Sequence, residues 1–294
     1  MILQLKMRKK VYPLLLKEIL KIEFLFLVIV IAGDLMRVLI TGAASGIGYQ
    51  VGVMLARGGH LVYMTCRSVT EVFLLRERLV REGVHAICFK LDLLTDDINV
   101  VDSLDIDCLF NHAGTGTAGS ILYMDEESLR DVYEVNFFRS FLLLKKVYRH
   151  MVDRKIAGKI FVTSSLLGMF PLPFFGVYGS SKAAISQVVK TLQEEEKVFQ
   201  HGISFCLVEP GAYATGFNQV MIDSQEKYVD SSFYQKFLSM HPYQRKLFLL
   251  LESRKVEKVA RRIVLEMEHK KTKKILRIPW IQGFFLKLYN FFFR

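Results

Sequence analysis

The chain has 294 residues, of which 51% are hydrophobic and 23% charged, with a formal net charge of +11. This composition excludes a disordered chain and provides enough apolar material for a buried core. The charge is uneven, because residues 1–35 carry +3, residues 241–294 carry +10 and the body between them carries −2. A nucleic-acid-binding protein would carry a basic surface on its body, so we expect no nucleic-acid partner.

Residues 1–35 precede the first predicted strand and form an N-terminal extension. The apolar run at 24–33 is too short to span a bilayer, and Glu18 and Glu23 interrupt a longer span. Two interpretations stay open. The extension is a membrane-associated helix, or the native chain begins at Met36, directly before the first strand, and 1–35 is an over-extended reading frame.

From Arg37 onward, short β-rich runs alternate with helical stretches. Most of the runs are apolar throughout, as in parallel strands covered on both faces; they lie at 37–40, 60–65, 85–91, 107–110, 159–163 and 203–208. This alternation predicts an α/β fold with a doubly wound parallel sheet in a three-layer α/β/α arrangement. We place this domain at 36–278. Cys66, Cys88, Cys108 and Cys206 lie far apart in sequence, which predicts free thiols in a reducing compartment and no metal site.

The first predicted strand leads into a glycine-rich turn, TGAASGIG at 41–48. A strand, such a turn and a helix start direct backbone N–H groups and the helix dipole at a pyrophosphate. The predicted cofactor-binding residues of this turn are Gly42, Ser45, Gly46, Ile47 and Gly48.

The end of the second strand selects the cofactor. A site for NAD would have an acid about 20 residues after the glycines to accept from the ribose hydroxyls. This chain has Arg67 and Ser68 there, and an arginine pairs with a phosphate through two parallel hydrogen bonds. The sequence therefore predicts NADP(H).

A tyrosine and a lysine, Tyr178 and Lys182, lie one helical turn apart. Ser165 precedes the tyrosine by thirteen residues, and Asn136 lies in an earlier predicted helix. Reduction of a ketone by hydride transfer creates an alkoxide that needs a proton. We expect Tyr178 to act as the acid or base, with a pKa that the Lys182 ammonium lowers.

Four motifs in this order, T-G-x-x-x-G-x-G, N-H-A-G, S-x12-Y-x3-K and E-P-G-A-Y-A-T, span about residues 36–215. The combination resembles the classical short-chain dehydrogenase/reductase family, most loosely its retinol- and hydroxysteroid-dehydrogenase-like members. The resemblance implies a Rossmann-type fold and the catalytic residues Asn136, Ser165, Tyr178 and Lys182. Two positions depart from the family pattern: His112 within N-H-A-G, and Arg139, where many members have glycine.

The same resemblance implies further contacts to the cofactor. Asp92 would lie near the adenine amino group, Lys182 would hold the nicotinamide ribose, and Thr215 would bind the carboxamide. Asn136 would position a water through its backbone carbonyl. The remaining cofactor-binding residues that the family's pattern implies are Asn111, Ala113, Gly114, Tyr178, Pro210 and Gly211.

Residues 216–251 are predicted to form a C-terminal helical lid that selects the substrate. Its aromatic and aliphatic content predicts a small hydrophobic alcohol or ketone, interconverted by an NADP(H)-dependent oxidoreductase. One alternative is reduction of a 3-oxoacyl thioester. Another is a non-catalytic, membrane-associated redox sensor that binds NADP(H).

The last residues, 279–294, form an amphipathic tail whose aromatic face includes Trp280, Phe284 and Phe285. Such a face is typical of an interfacial membrane anchor, and packing on the body or on a second subunit is the alternative. We therefore expect a cytoplasmic protein with peripheral contact to the cytoplasmic membrane face. The family implies a homodimer or homotetramer, paired through the helices of Asn136 and Tyr178.

Overall fold

The computed structural model describes residues 35–224 and 252–279. The N-terminal extension up to residue 34, the predicted lid from residue 225 to 251 and the tail from residue 280 lie outside the described residues. The hypotheses about membrane contact and about a native start at Met36 therefore stay predictions.

Seven parallel strands form one sheet. They are β1 Arg37–Ile40, β2 Leu61–Cys66, β3 Ile87–Lys90, β4 Cys108–Asn111, β5 Lys159–Thr163, β6 Ser204–Pro210 and β7 Ile275–Ile278. Their order across the sheet is β3-β2-β1-β4-β5-β6-β7. All six strands predicted from the apolar runs are present, with ends shifted by one or two residues at most.

Helices cover both faces of the sheet. They are α1 Gly46–Arg57, α2 Val69–Arg81, α3 Glu126–Tyr133, α4 Ser140–Asp153, α5 Gly176–Phe199, α6 Phe217–Asp223 and α7 Val256–Glu268. Two short 3₁₀ turns, Ile98–Ser103 and Leu166–Gly168, and one π-helical turn, Glu134–Arg139, complete the described elements. The predicted three-layer α/β/α fold is confirmed.

The sheet separates two hydrophobic cores. Val38 and Ile40 of β1 pack into the core that α1, α2 and α7 share, whereas Leu39 packs into the core of α4 and α5. All three side chains are fully buried. Successive residues of a strand point to opposite faces, so a strand covered on both faces must be apolar at every position.

The strand order reverses between β1 and β4. In open α/β sheets, ligands bind in the crevice at the carboxyl ends of the strands where this reversal occurs. The glycine-rich turn follows β1 and the N-H-A-G segment follows β4, so the two motifs meet at this crevice.

Candidate functional site

The glycine-rich turn forms a tight cradle at the start of α1. Gly42 and Gly46 have φ angles of +69° and +59°, which favour glycine. A Cβ on Gly42 would lie 2.9 Å from Cα of Ala113, and one on Gly48 would collide with the carbonyl oxygen of Gly42. Ser45, the N-cap of α1, makes no side-chain bond to the helix, and first-turn N–H groups have no intrahelical acceptor. This cradle fits the pyrophosphate of a dinucleotide.

The side chain of Thr41 links the end of β1 to the end of β4 by hydrogen bonds. Its Oγ1 accepts hydrogen bonds from the backbone N–H groups of His112 and Ala113, both at 2.9 Å. Sequence reasoning did not assign Thr41 to the site. The only signal for it was its place directly before Gly42.

The N-H-A-G segment divides into structural and cleft-lining residues. The amide of Asn111 donates to the carbonyl and hydroxyl oxygens of Ser140, at 2.8 and 2.9 Å, and so ties β4 to α4. Gly114 faces the catalytic residues, because a Cβ there would lie 3.0 Å from Oδ1 of Asn136 and 3.1 Å from Nζ of Lys182.

His112, the first departure from the family pattern, packs as a neutral ring. It stacks on Phe110 with centroids 4.9 Å apart, and its Nδ1 lies 3.0 Å from Oγ1 of Thr163. Burial, aided by the charge of Lys182, lowers the pKa of His112 to about 3. At neutral pH the ring is therefore neutral and does not act as an imidazolium acid.

The end of β2 presents Arg67 to solvent, with its side chain 75% exposed. Ser68 is the N-cap of α2, and its Oγ accepts from the backbone N–H of Glu71 at 3.1 Å. Glu71 in turn accepts from the backbone N–H groups of Arg67 and Ser68, and its carboxylate lies 3.8 Å from the guanidinium of Arg67. The structure thus places the carboxylate of Glu71, in the first turn of α2, beside Arg67. The sequence analysis did not consider this acid.

Asn136 lies in the π-helical turn between α3 and α4, not in a regular helix as the sequence analysis expected. Its side chain accepts from the backbone N–H of Thr115 at 2.9 Å and donates to the Thr115 carbonyl at 2.8 Å. It also donates to Oγ of Ser181 at 3.0 Å. The side chain is therefore fully committed to protein partners. π-turns of this kind recur at functional sites.

Ser165, Tyr178 and Lys182 come together at the end of β5. Ser165 lies close enough to the hydroxyl of Tyr178 to affect its pKa, and its Oγ accepts from the backbone N–H of Leu167 at 3.1 Å. Nζ of Lys182 donates to the carbonyl oxygen of Thr163 at 3.1 Å and lies 5.9 Å from the centroid of the Tyr178 ring. The predicted serine, tyrosine and lysine are thus neighbours in space.

The pKa of Tyr178 differs from the expectation that Lys182 lowers it. Burial raises this pKa to about 12, and the neighbouring Ser165 only partly opposes the rise. Burial also lowers the pKa of the Lys182 ammonium to about 8. Desolvation is therefore the main cause of both shifts.

The segment after β6 returns to the glycine-rich turn. The backbone N–H of Gly211 donates to the carbonyl of Ile278 at 2.8 Å, which fixes the end of β6 against β7. A Cβ on Gly46 would lie 3.1 Å from Cβ of Thr215. Thr215 therefore lies against the pyrophosphate cradle, and the nearby Pro210 ends β6.

Apolar side chains pack around Tyr178, the predicted catalytic tyrosine. Phe217 and Met221 of α6 pack with Tyr178, Phe175 and Ala118 in a small cluster separate from the two main cores. Ser224, at the end of α6, accepts from the backbone N–H of Ala118 at 3.0 Å, which holds α6 against the loop after β4.

Over residues 35–224 and 252–279, no group of three or more His, Cys, Asp or Glu side chains is placed to hold a metal ion. Among the described helices, none is long and apolar enough to cross a membrane.

Comparison with known proteins agrees with this geometry. The model of the short chain dehydrogenase family matches residues 36–226. The chain is 32% identical over 199 residues to the 3-ketodihydrosphingosine reductase of Bacteroides thetaiotaomicron, covering 66% of this chain and 72% of that protein. It is 30% identical over 170 residues to the NADPH-dependent 1-acyldihydroxyacetone phosphate reductase of Saccharomyces cerevisiae, covering 54% of this chain and 56% of that protein.

Among solved structures, a short-chain dehydrogenase from Streptomyces avermitilis superposes with a TM-score of 0.69 at 25% identity. The superposition covers 87% of this chain and 92% of that one.

Proposed function

The chain belongs to the short-chain dehydrogenase family, and on that premise we propose that it is an NADP(H)-dependent oxidoreductase that interconverts a hydrophobic ketone and its alcohol. The observation that carries the proposal is the position of Lys182, one turn after Tyr178: its Nζ lies beside Gly114, and the neighbouring Ala113 packs against a glycine cradle fit for a dinucleotide. The nicotinamide, when bound, supplies the hydride to the carbonyl carbon.

The protein's own residues handle the carbonyl oxygen. In the proposed geometry, the hydroxyls of Ser165 and Tyr178 both donate to this oxygen and hold it. As the carbon–oxygen double bond is reduced, the oxygen gains charge and takes the phenolic proton of Tyr178, which completes the alcohol. With a pKa of about 12, Tyr178 carries its proton at neutral pH, as an acid in ketone reduction must.

The substrate class is proposed from the apolar side chains that pack around Tyr178. Phe217 and Met221 offer apolar contacts and no charge. The names of the two relatives describe ketones that carry a lipid chain, which supports the same chemistry for this chain. NADP(H) is supported by the NADPH-dependent relative and by Arg67 at the end of β2.

The test is oxidation of NADPH by the purified chain with a panel of carbonyl compounds. The panel contains 3-ketodihydrosphingosine, a long-chain 2-ketone, a 3-oxoacyl thioester and acetoin. We expect kcat/KM for the lipid-type ketones to exceed that for acetoin at least about tenfold, since each buried methylene adds about 0.8 kcal/mol. Tight NADPH binding without turnover of any member would instead favour a cofactor-binding sensor.

We also propose pairing of two subunits through the helices that follow Asn136 and contain Tyr178. A groove of about 500 Å³ lies between α3, the π-turn and α5, and its lining includes Leu129 and Phe138. Phe138 and Leu142 are 51% and 43% exposed. Sedimentation equilibrium would reveal a dimer or tetramer, and a Phe138→Glu variant should shift it toward the monomer.

A further inference from the structure

Arg139, the second departure from the family pattern, reaches from the π-turn to the loop that follows β3. Its Nε donates to the carbonyl oxygen of Leu93 at 2.7 Å, and its Nη2 donates to the carbonyl oxygen of Asp96. Arg139 is the last residue of the turn that carries Asn136. One half-buried side chain therefore connects the catalytic turn to a loop on the far side of the crevice.

The loop at 92–96 is the one that contains Asp92, predicted to lie near the adenine. Its internal bonds fix the backbone of Asp92. The N–H of Asp92 donates to Oδ2 of Asp96 at 2.7 Å, and Lys90 holds the Asp96 carboxylate in an ion pair. Oδ1 of Asp92 accepts from the backbone N–H of Leu94 at 3.0 Å.

These internal bonds shape the loop but do not attach it to α4. Lys90 and Asp96 are part of the same strand–loop segment, so their ion pair moves with it. The guanidinium of Arg139 supplies two charge-assisted bonds from a different element, and such bonds are stronger than neutral ones. A glycine at this position would have no side chain to reach either carbonyl.

We infer that Arg139 is a positioning residue that holds the Asp92 loop in place for the adenosine half of the cofactor. The inference rests on the proposed function, because it takes the bound molecule to be an adenine dinucleotide. Arg139 acts through the loop backbone and does not touch the reacting atoms. Its loss should therefore weaken binding of the adenosine part and leave chemistry at the nicotinamide end unchanged.

The first experiment is calorimetric titration of the full chain with 2′,5′-ADP, which carries the adenosine and 2′-phosphate but no nicotinamide. We expect Arg139→Met to weaken binding about tenfold or more. Arg139→Lys keeps the charge but loses the two-pronged geometry. Its affinity for 2′,5′-ADP should therefore fall between those of the wild type and of Arg139→Met. The matched control is Arg130→Met, which removes an arginine that is 75% exposed on α3 and should stay within about twofold of the wild type. An Arg139→Met affinity within about twofold of the wild type would overturn the inference.

The second readout separates positioning from a general loss of structure. With reduced nicotinamide mononucleotide as hydride donor, kcat/KM of Arg139→Met should stay within about twofold of the wild type. An equal loss with this donor and with NADPH would contradict a role confined to the adenosine half.

If Arg139→Met does not fold, Arg139→Lys takes its place as the test, because it keeps the charge but loses the two-pronged geometry. It should weaken 2′,5′-ADP binding in the same direction, and unchanged binding would overturn the inference. Failure of the wild type itself to bind 2′,5′-ADP would overturn both this inference and the proposed function. Binding by the wild type without turnover of any ketone would reject the proposed function alone.

Discussion

The ring of Phe217 in α6 lies against the ring of Tyr178, with 5.6 Å between their centroids. A Cβ added to Gly116 would meet both rings, at 3.2 Å from Phe217 and 3.1 Å from Tyr178. An aromatic side chain therefore packs on one side of the phenol ring, where a ketone of the proposed kind would compete with it. Phe217 should consequently control the size of the substrate.

We expect Phe217→Ala to raise kcat/KM for long-chain ketones relative to short ones by about fivefold or more. The smaller side chain leaves room beside Tyr178 for a bulky group, and it removes apolar contact that a short ketone needs. Val220→Ala is the control on the same helix, since Val220 is 69% exposed. A ratio of the two kcat/KM values that stays within about twofold would contradict this role.

Tyr178→Phe should lower kcat/KM for ketone reduction by ~10²–10⁴, the range typical of a lost general acid. The affinity for NADPH should change little, because the ring and its packing remain. Steady-state kinetics and fluorescence titration of NADPH measure the two quantities. Tyr133→Phe in α3 provides a control, and a Tyr178→Phe enzyme of near-normal activity would remove the tyrosine from the mechanism.

Arg67→Ala should raise KM for NADPH about tenfold or more and leave KM for NADH within about twofold. The guanidinium is expected to pair with the 2′-phosphate, which NADH lacks. Arg81→Ala, an exposed arginine at the end of α2, is the matched control. Equal effects on the two cofactors would show that Arg67 does not discriminate between them.

The burial of Lys182 makes the stability of the fold depend on pH. Its pKa falls from 10.5 in the unfolded chain to about 8 in the folded one, because burial disfavours the ammonium. Between these values the unfolded chain binds more protons, so stability rises as pH rises from about 8 to 10.5 and is lowest below 8. The difference corresponds to a cost on the order of 3 kcal/mol at neutral pH.

Lys182→Met should therefore be inactive yet more stable than the wild type at pH 7, in urea denaturation followed by circular dichroism. The difference in free energy of unfolding between this variant and the wild type should shrink as the pH rises from about 8 to 10.5. A variant that is less stable than the wild type at pH 7 would mean that the bond from Lys182 to Thr163 outweighs the desolvation cost.

Much of the fold follows from local patterns. A strand covered on both faces needs apolar residues at its buried positions, and the run from Val38 to Ile40 meets that requirement. The positive φ angles of Gly42 and Gly46 likewise express a local need of the turn for glycine. Such constraints act within a few residues of the chain, so they can be predicted from the sequence.

Other features depend on contacts between segments far apart in the chain. Arg139 lies 46 residues from Leu93, and no local pattern indicates that its guanidinium reaches that carbonyl. By contrast, the bond from the backbone N–H of Glu71 to the Oγ of Ser68 joins residues only three apart, and the S-x-x-E spacing could have indicated it.

The sequence by itself determined the layered α/β fold, the glycine cradle and the order of Asn136, Ser165, Tyr178 and Lys182, since spacing along a strand or helix dictates which side chains share a face. Only the tertiary structure decided how deeply Tyr178 and Lys182 are buried, and hence the direction of their pKa shifts. It also decided that Phe217 packs against the tyrosine. Desolvation and packing are sums over neighbours from many segments, and those neighbours are fixed only when the chain has folded.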